Sequence, residues 1–389
     1  MSSLKVNLAE FSYPIIIGNR ILKDIGHILK RRLDLGQRIM VVTNPYLLGR
    51  KCRVWFKPLK DSLVRSGFKV SVVPIPYARE VKSKPDLEQF KTNKMVMRLY
   101  DNFLAKGLDR TSTVVTVGGG VTGDLAAFAA STYMRGINLV HVPTTLMAQV
   151  DSSIGGKTGI NLPKGKNLAG TFYQPRLVYI DIDCLKTKPP REMRGGFAEV
   201  IKYGVIKDRT LFYLLERNLE AIRDIINIKN WNQHRNFLTK VITCCCQIKS
   251  SVVERDECET KGLREILNYG HTVGHALEQA GNYKLLHHGE AVSIGMVAAC
   301  WIAQKMGLLK ERDSLRQENL LEAIGLPTRI DSRLNLDRVM KAIEVDKKSR
   351  AGELRFILPK RIGEVIISSE VPFGLIRRVL KELAGWEVR

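Results

Sequence analysis

Four of the chain's seven histidines fall within eighteen residues, His271 and His275 in "LNYGHTVGHALE" and His287 and His288 in "LHHGEAV". His271 and His275 are four apart, so a helix puts both on one face. Clustered imidazole nitrogens point to a metal, zinc being well suited, and a catalytic zinc site takes three protein ligands and keeps positions open for water or substrate. A carboxylate from a second helix would complete such a set. The stretch "GGFAEVIKYG" offers Glu199, with Lys202 one turn later on the same face. By spacing alone His275 stands beside His271 as a ligand; the competing reading is a group of satisfied core histidines.

A second constellation lies in "VVTVGGGVTGDLAAFAAST", Val114 to Thr132. An apolar β-branched strand, three glycines and a small-residue helix are what bring a diphosphate against backbone N–H groups at a helix N-terminus. The pattern is not GxGxxG, and no Lys-Ser/Thr follows the glycines as a P-loop would need, so the stretch by itself also reads as a tight strand-to-helix turn. Downstream, "AQVDSSIGGKTGINLPKGKN" sets Asp151, Lys157, Lys166 and Asn167 in a Gly-rich connection after a strand, where open α/β sheets bind ligands. Lys249, Arg264, Lys347 and Lys348 are further cations, each singly readable as surface charge.

These residues need a scaffold. "YPIIIG", "RIMVVTN", "KVSVVPIP", "STVVTVGG", "NLVHVPTT" and "RLVYIDI" read as short buried strands, with a helix over 91–106 among those between them. After Pro189 the pattern changes to long amphipathic runs over 209–222, 231–253, 267–280 and 291–306, with few strand-like intervals until "ELRFILP". Pro189 and Pro190 force an extended joint, so the expected division is 1–188, an α/β sheet domain, and 189–389, a mainly α-helical one.

The 389 residues are 44% hydrophobic, enough for two cores. Seven cysteines, three of them contiguous at 244–246, make no disulfide framework, and no CxxC pair marks a structural zinc. The chain starts without a signal-peptide series and its apolar run 291–303 is too short to cross a bilayer, which reads as a cytoplasmic protein with no membrane partner. The formal charge of +23 is scattered over short runs without an aromatic-interleaved platform, so nucleic acid is not the expected partner.

Taken together, "GGGVTGD", "PTTLMAQVDSSIGGKTGIN", "GKN", "GFAEVIKYG", "GLREILNYGHTVGHALE" and "HGEAV", in this order between Gly118 and Val292, resemble the 3-dehydroquinate synthase family of sugar phosphate cyclases. The resemblance implies a Rossmann-like NAD-binding α/β domain followed by a mainly α-helical domain that binds zinc, for which cobalt substitutes, and a homodimer. It implies that Gly119, Gly120, Val121 and Asp124 line the cofactor, with Asn44, Glu80, Lys82, Thr144, Thr145, Asp151, Lys166, Asn167, Thr187 and Glu192 on the same side. Glu199, His271 and His288 match its zinc ligands, and His275 an active-site residue that does not bind the metal. Asp151, Lys157, Asn167, Lys202, Lys249, Arg264, Asn268 and one lysine of the Lys347–Lys348 pair, taken as Lys348, match substrate positions, and Arg135 one that reaches a neighbouring subunit's site. The chain departs from the family at Ala78-Arg79, ahead of Glu80 and Lys82, at Asn44 in place of an aspartate, and at Ala127 in place of a glycine; these bear on cofactor affinity.

The reaction implied converts 3-deoxy-D-arabino-heptulosonate 7-phosphate to 3-dehydroquinate and phosphate, in the shikimate route. An alcohol is oxidised transiently, phosphate leaves with the phosphate itself as base, the hydride returns, and an aldol step closes the ring. Lysines and arginines suit a substrate with both carboxylate and phosphate. A helix continuing from Arg264 through Asn268 to His271 would align Arg264 with the zinc site, its planar fork facing the carboxylate. The alternatives are a sibling cyclase for a heptulose phosphate without a carboxylate, a metal-dependent polyol dehydrogenase, and a basic binding protein on a dead enzyme scaffold.

Overall fold

The computed structural model describes residues 2–76, 87–163, 165–349 and 354–385, the side chains of 346–349 excepted. They form two compact units, Met1–Lys188 with Arg235–Cys258, and Pro189–His234 with Glu259–Arg389.

The first unit is built on a seven-stranded sheet in the order β1-β2-β9-β6-β5-β3-β4. Its strands are β1 (Ser2–Val6), β2 (Tyr13–Gly18), β3 (Arg38–Thr43), β4 (Lys69–Pro74), β5 (Thr113–Gly118), β6 (Asn138–Pro143) and β9 (Leu177–Asp181). All neighbours run parallel except β1 and β2. β5 and β9 are buried at every position, which is why they read as unbroken Val/Ile runs rather than alternating ones. Alternate residues serve opposite faces. Val41, Val115, Val117 and Val140 pack with Leu29 of α1 (Ile25–Arg32) and with Leu59 and Leu63 of α3 (Arg53–Arg65), which follows the short α2 (Pro45–Leu48). Met40, Val42, Val114 and Leu139 pack with Leu99 and Phe103 of α4 (Asn93–Ala105) and with Leu125, Ala126 and Ala129 of α5 (Gly120–Thr132).

Three strands of the first unit were not legible as such, β1 and the two of a hairpin. The Gly-rich connection after Asp151 is an antiparallel hairpin of β7 (Lys157–Leu162) and β8 (Gly165–Phe172), tied to α5 by the Thr171 hydroxyl, which donates to Ser131 Oγ at 2.8 Å. Its glycines and lysines mask the alternation that places Ile160 in the core.

The second unit holds α6 (Pro190–Ile206), α7 (Arg209–Glu216), α8 (Leu219–Ile226), the first residues of α9 (Trp231–Val253), α10 (His271–Ala280), α11 (His288–Lys305), α12 (Glu311–Ile324), α13 (Leu336–Ser349) and α14 (Phe373–Leu383), with one hairpin, β10 (Phe356–Arg361) and β11 (Glu364–Ser368). The expected domain 189–389 therefore has to give up 235–258, most of α9 and the turn after it. Side-chain contacts explain why. Arg235 donates to Asp183 Oδ2 at 2.9 Å, Cys246 Sγ to the Gln149 carbonyl at 3.4 Å, and Gln174 to Glu257 Oε1 at 2.9 Å. Among the described residues no helix is long and apolar enough to cross a membrane.

Three helices of the second unit approach one another at backbone distance. A Cβ on Gly289 of α11 would lie 2.3 Å from the Gly195 carbonyl oxygen of α6, and one on Gly295 would lie 1.9 Å from that of Gly270, just before α10. Arg191 of α6 forks onto Glu290 of α11 at 2.6 and 2.7 Å and reinforces the first of these contacts.

Two consequences are measurable. Gly289→Ala forces α6 and α11 apart and is expected to lower stability by about 1–3 kcal/mol, the usual cost of overpacking, read as an earlier urea midpoint for the second unit. His141 on β6 is buried with Nδ1 2.7 Å from Thr116 Oγ1, and burial pulls its pKa down to about 4. Because the unfolded chain takes up the proton first, this contribution is present above pH 6.5 and lost as pH falls towards 4, in all about 3 kcal/mol. Urea midpoints compared between wild type and His141→Gln from pH 7.5 to 4 should show the wild type falling more steeply.

Candidate active site

In the first unit the candidate residues gather at the carboxyl ends of β3 and β5. From β3 the chain adds β4 on one side and then crosses to β5 on the other, so the order reverses between β3 and β5. Open α/β sheets bind ligands at such a crevice. Asn44 follows β3 and accepts the Leu47 N–H at 3.1 Å through Oδ1, capping α2. Gly119 is the N-cap of α5 and has no side chain to cover the first-turn N–H groups. Thr144, which is buried, donates its N–H to the Gly118 carbonyl at 2.8 Å, and Thr145 lies beside Gly119. Thr187 meets the same region, its carbonyl accepting from the Tyr46 hydroxyl at 2.9 Å. A helix N-terminus with no side-chain cap at a switch point fits a dinucleotide diphosphate.

Beside the loop runs a polar chain. Lys91, only 3% exposed, donates to Asp124 Oδ2 at 2.6 Å and to Asn167 Oδ1 at 2.5 Å. Asn167 has a left-handed backbone, φ +55°, and its N–H donates to Asn161 Oδ1 at 3.0 Å; Asn161 in turn donates to Glu88 Oε1 at 2.7 Å. Burial raises the Asp124 carboxyl's pKa, and Lys91 opposes that rise. Lys91 and Glu88 are site residues the sequence reading missed. Their one signal was an acid and a base three apart in "EQFK", just ahead of a helix. Glu80 and Lys82 lie outside the described residues. Val121 is half-buried in the first turn of α5, and Lys166 half-buried on β8.

Asp151 and Lys249 meet although 98 residues apart: the ammonium donates to the Asp151 carbonyl at 2.8 Å and to Oδ1 at 2.7 Å. Lys157 is exposed at the start of β7. Arg135 is exposed in a left-handed turn, φ +68°.

In the second unit, α6 presents Glu199 and Lys202, both 1% exposed, with Nζ 2.5 Å from Glu199 Oε2. The other carboxylate oxygen faces two imidazoles, His288 Nε2 at 3.3 Å and His271 Nε2 at 3.7 Å. Each histidine is held through its other nitrogen: His271 Nδ1 lies 3.0 Å from the Tyr269 carbonyl and His288 Nδ1 3.2 Å from Glu278 Oε2. One donor atom from each of Glu199, His271 and His288 lies within 4.8 Å of the others. Tetrahedral ligands at zinc distances stand about 3.4 Å apart, so one carboxylate and two imidazoles so disposed fit zinc or cobalt. The pairing of His275 with His271 expected from spacing alone is not what the fold builds. The exposed His275 stacks edge-on 5.3 Å from His271, and its donor groups with those of Glu278 and His288 instead.

The two imidazoles divide their proton unequally. Burial, with Lys202 adding to it, takes His271 down to about 3. Burial acts on His288 too, but hydrogen bonds to Glu199 and Glu278 overcome it and hold the ring up at about 10. A cation entering the cluster displaces the His288 proton.

Arg264 is 1% exposed, but not through a continuing helix. Residues Leu263–Asn268 form a tighter 3-10 segment, Tyr269 leaves the helical region, and Gly270 takes φ +78° before α10 begins at His271. The turn is there because Gly270 must pass Met296 and Gly295 of α11, so the expected alignment of Arg264, Asn268 and His271 on one helix face is incorrect. Asn268, half-buried, ends that segment. Glu192 is exposed in the first turn of α6, in the second unit. Lys347 and Lys348 lie on α13, with their side chains outside the description.

The chain matches family models for the 3-dehydroquinate synthase N-terminal region over residues 82–195 and C-terminal region over 196–349. The 3-dehydroquinate synthase of Nostoc punctiforme is 45% identical over 382 residues, covering 98% of this chain and 99% of its own length. Among solved structures, 2-epi-5-epi-valiolone synthase of Streptomyces hygroscopicus with NAD+ and Zn2+ bound superposes with TM-score 0.83 at 27% identity, covering 97% of this chain and 98% of its own. A 2-deoxy-scyllo-inosose synthase complexed with carbaglucose-6-phosphate, NAD+ and Co2+ gives 0.82 at 28%, covering 98% and 100%. With its α/β sheet unit, its helical unit and this near full-length identity, the chain belongs to the 3-dehydroquinate synthase family.

Proposed function

We propose that the chain is a phosphate-eliminating lyase, dependent on NAD and zinc, that converts 3-deoxy-D-arabino-heptulosonate 7-phosphate to 3-dehydroquinate and phosphate as a cytoplasmic enzyme of the shikimate route. The observation that carries this reading is the 45% identity with a 3-dehydroquinate synthase over almost the whole of both chains. When bound, NAD supplies a hydride acceptor restored within each turnover, and zinc or cobalt a Lewis acid for an alcohol or ketone oxygen.

The chain's own residues bind and orient. The N–H groups following Gly118–Gly120 receive the cofactor's diphosphate, with Val121, Thr144, Thr145, Lys166 and Thr187 around it, and the Lys91–Asp124–Asn167 chain holds the hairpin against α5. Glu199, His271 and His288 hold the metal. Lys157, Lys202, Lys249, Arg264 and Lys348 grip the two anionic ends of the substrate, while Asp151, Asn268 and His275 orient its hydroxyls. Arg264 is given the carboxylate, because it matches a substrate position of the family and its planar fork suits bidentate binding. Arg135 serves the site of a second copy in a homodimer, and the positive charge serves a small anionic substrate rather than nucleic acid.

Phosphate release from the heptulosonate phosphate tests the reading. With NAD far below substrate, many turnovers per NAD are expected and no NADH should accumulate; stoichiometric NADH marks a dehydrogenase. Chelation should abolish turnover, and zinc or cobalt should restore it. Arg264→Met is expected to lower kcat/KM at least about 100-fold, the scale for removing one partner of a buried charge pair, while NAD and zinc stay bound. A wild-type preference for sedoheptulose 7-phosphate would make a sibling cyclase the better reading.

A further inference from the structure

His288 makes two contacts through opposite ring nitrogens, and only one of them faces the metal group. Nε2 points to Glu199, whereas Nδ1 lies 3.2 Å from Oε2 of Glu278. Glu278 sits on α10, seven residues after His271, and is 7% exposed. A histidine that binds a cation through Nε2 must be neutral there and carry its proton on Nδ1, and that N–H needs an acceptor. For His271 the acceptor is the Tyr269 backbone carbonyl, present whatever the side chains are. For His288 it is a carboxylate, which sets the tautomer and ring orientation and also makes the imidazole a stronger donor.

We infer that Glu278 is a positioning residue of the metal site, which acts through His288 and does not itself bind the ion. The inference rests on the proposed reading of Glu199, His271 and His288 as metal ligands. A different use of the same carboxylate is open to the geometry, since donors of His275, Glu278 and His288 also lie within 4.8 Å of one another and could form a second cation group sharing His288. Burial is consistent with the positioning role: His275 is exposed, while Glu278 is buried and its contact with His288 Nδ1 is part-buried.

The test uses metal-free full-length protein as wild type, Glu278→Gln and Glu278→Ala, with Zn2+ affinity read by competition with a chromophoric chelator and the Co2+ form by its visible absorption. Circular dichroism and NAD binding confirm that each variant is folded. Glu278→Gln keeps an acceptor and loses the charge, so zinc affinity should fall about tenfold with a cobalt spectrum near that of wild type. Glu278→Ala loses both, so affinity should fall about 100-fold and the cobalt bands should shift. This graded rescue, at one metal per chain throughout, is what a packing role would not produce. Zinc affinity and cobalt spectrum unchanged in both variants overturn the inference alone. Two metals per wild-type chain falling to one in either variant make Glu278 a ligand and overturn it as well. Wild-type protein that takes up no zinc overturns the metal reading beneath it.

Discussion

The second unit depends on helices meeting where no side chain intervenes. Gly289 lies against Gly195 and Gly295 against Gly270, so α11 approaches both α6 and the start of α10 at a separation that a Cβ on Gly289 or Gly295 would prevent. Glu199 comes from α6, His271 from the first residue of α10 and His288 from the first residue of α11. Short side-chain reach then suffices to bring three donors within 4.8 Å. Were the helices spaced as larger residues require, at about 8–10 Å between axes, the same side chains would not converge as closely.

That convergence carries an electrostatic cost. Glu199 and Lys202 are almost fully buried, and a buried charge is tolerated only with partners. Lys202 answers one carboxylate oxygen and the two imidazoles face the other. Hydrogen bonds to Glu199 and Glu278 hold the proton on His288, while burial and Lys202 keep His271 neutral. The cluster thus offers one neutral imidazole and one whose proton a cation can displace, both beside a carboxylate, which suits a divalent ion more than a set of core histidines.

The first unit solves a different problem by other means. Its ligand crevice follows from strand order, because a sheet that grows from β3 in both directions leaves the connections after β3 and β5 diverging. The hairpin β7–β8 is secured beside it by Lys91, whose buried ammonium joins α5 through Asp124 to β8 through Asn167. Lys249 on α9 does the same for the turn carrying Asp151. Both lysines link segments remote in sequence, and both stand next to the glycine loop or to groups given to substrate.

Much of this was legible in the sequence. Buried parallel strands announce themselves as β-branched runs, so the five interior strands could be read directly, and the edge strand β4 with them, and the Pro189-Pro190 joint marks where sheet gives way to helices. The glycine loop, Glu199 and the histidine cluster were likewise visible, because their chemistry resides in residue type and short spacing. Other features were settled only by the fold. Arg235–Cys258 joins the first unit, Arg264 is brought in by a 3-10 turn and not by a long helix, and His288 rather than His275 shares Glu199 with His271. Lys91 with Asp124 and Asn167, and Glu278 with His288, likewise have no local signature. These are outcomes of which surfaces pack together, and a pairing across 33 or 76 residues, or a helix approach set by two glycines, leaves no periodicity in the chain because its cause lies in the partner segment.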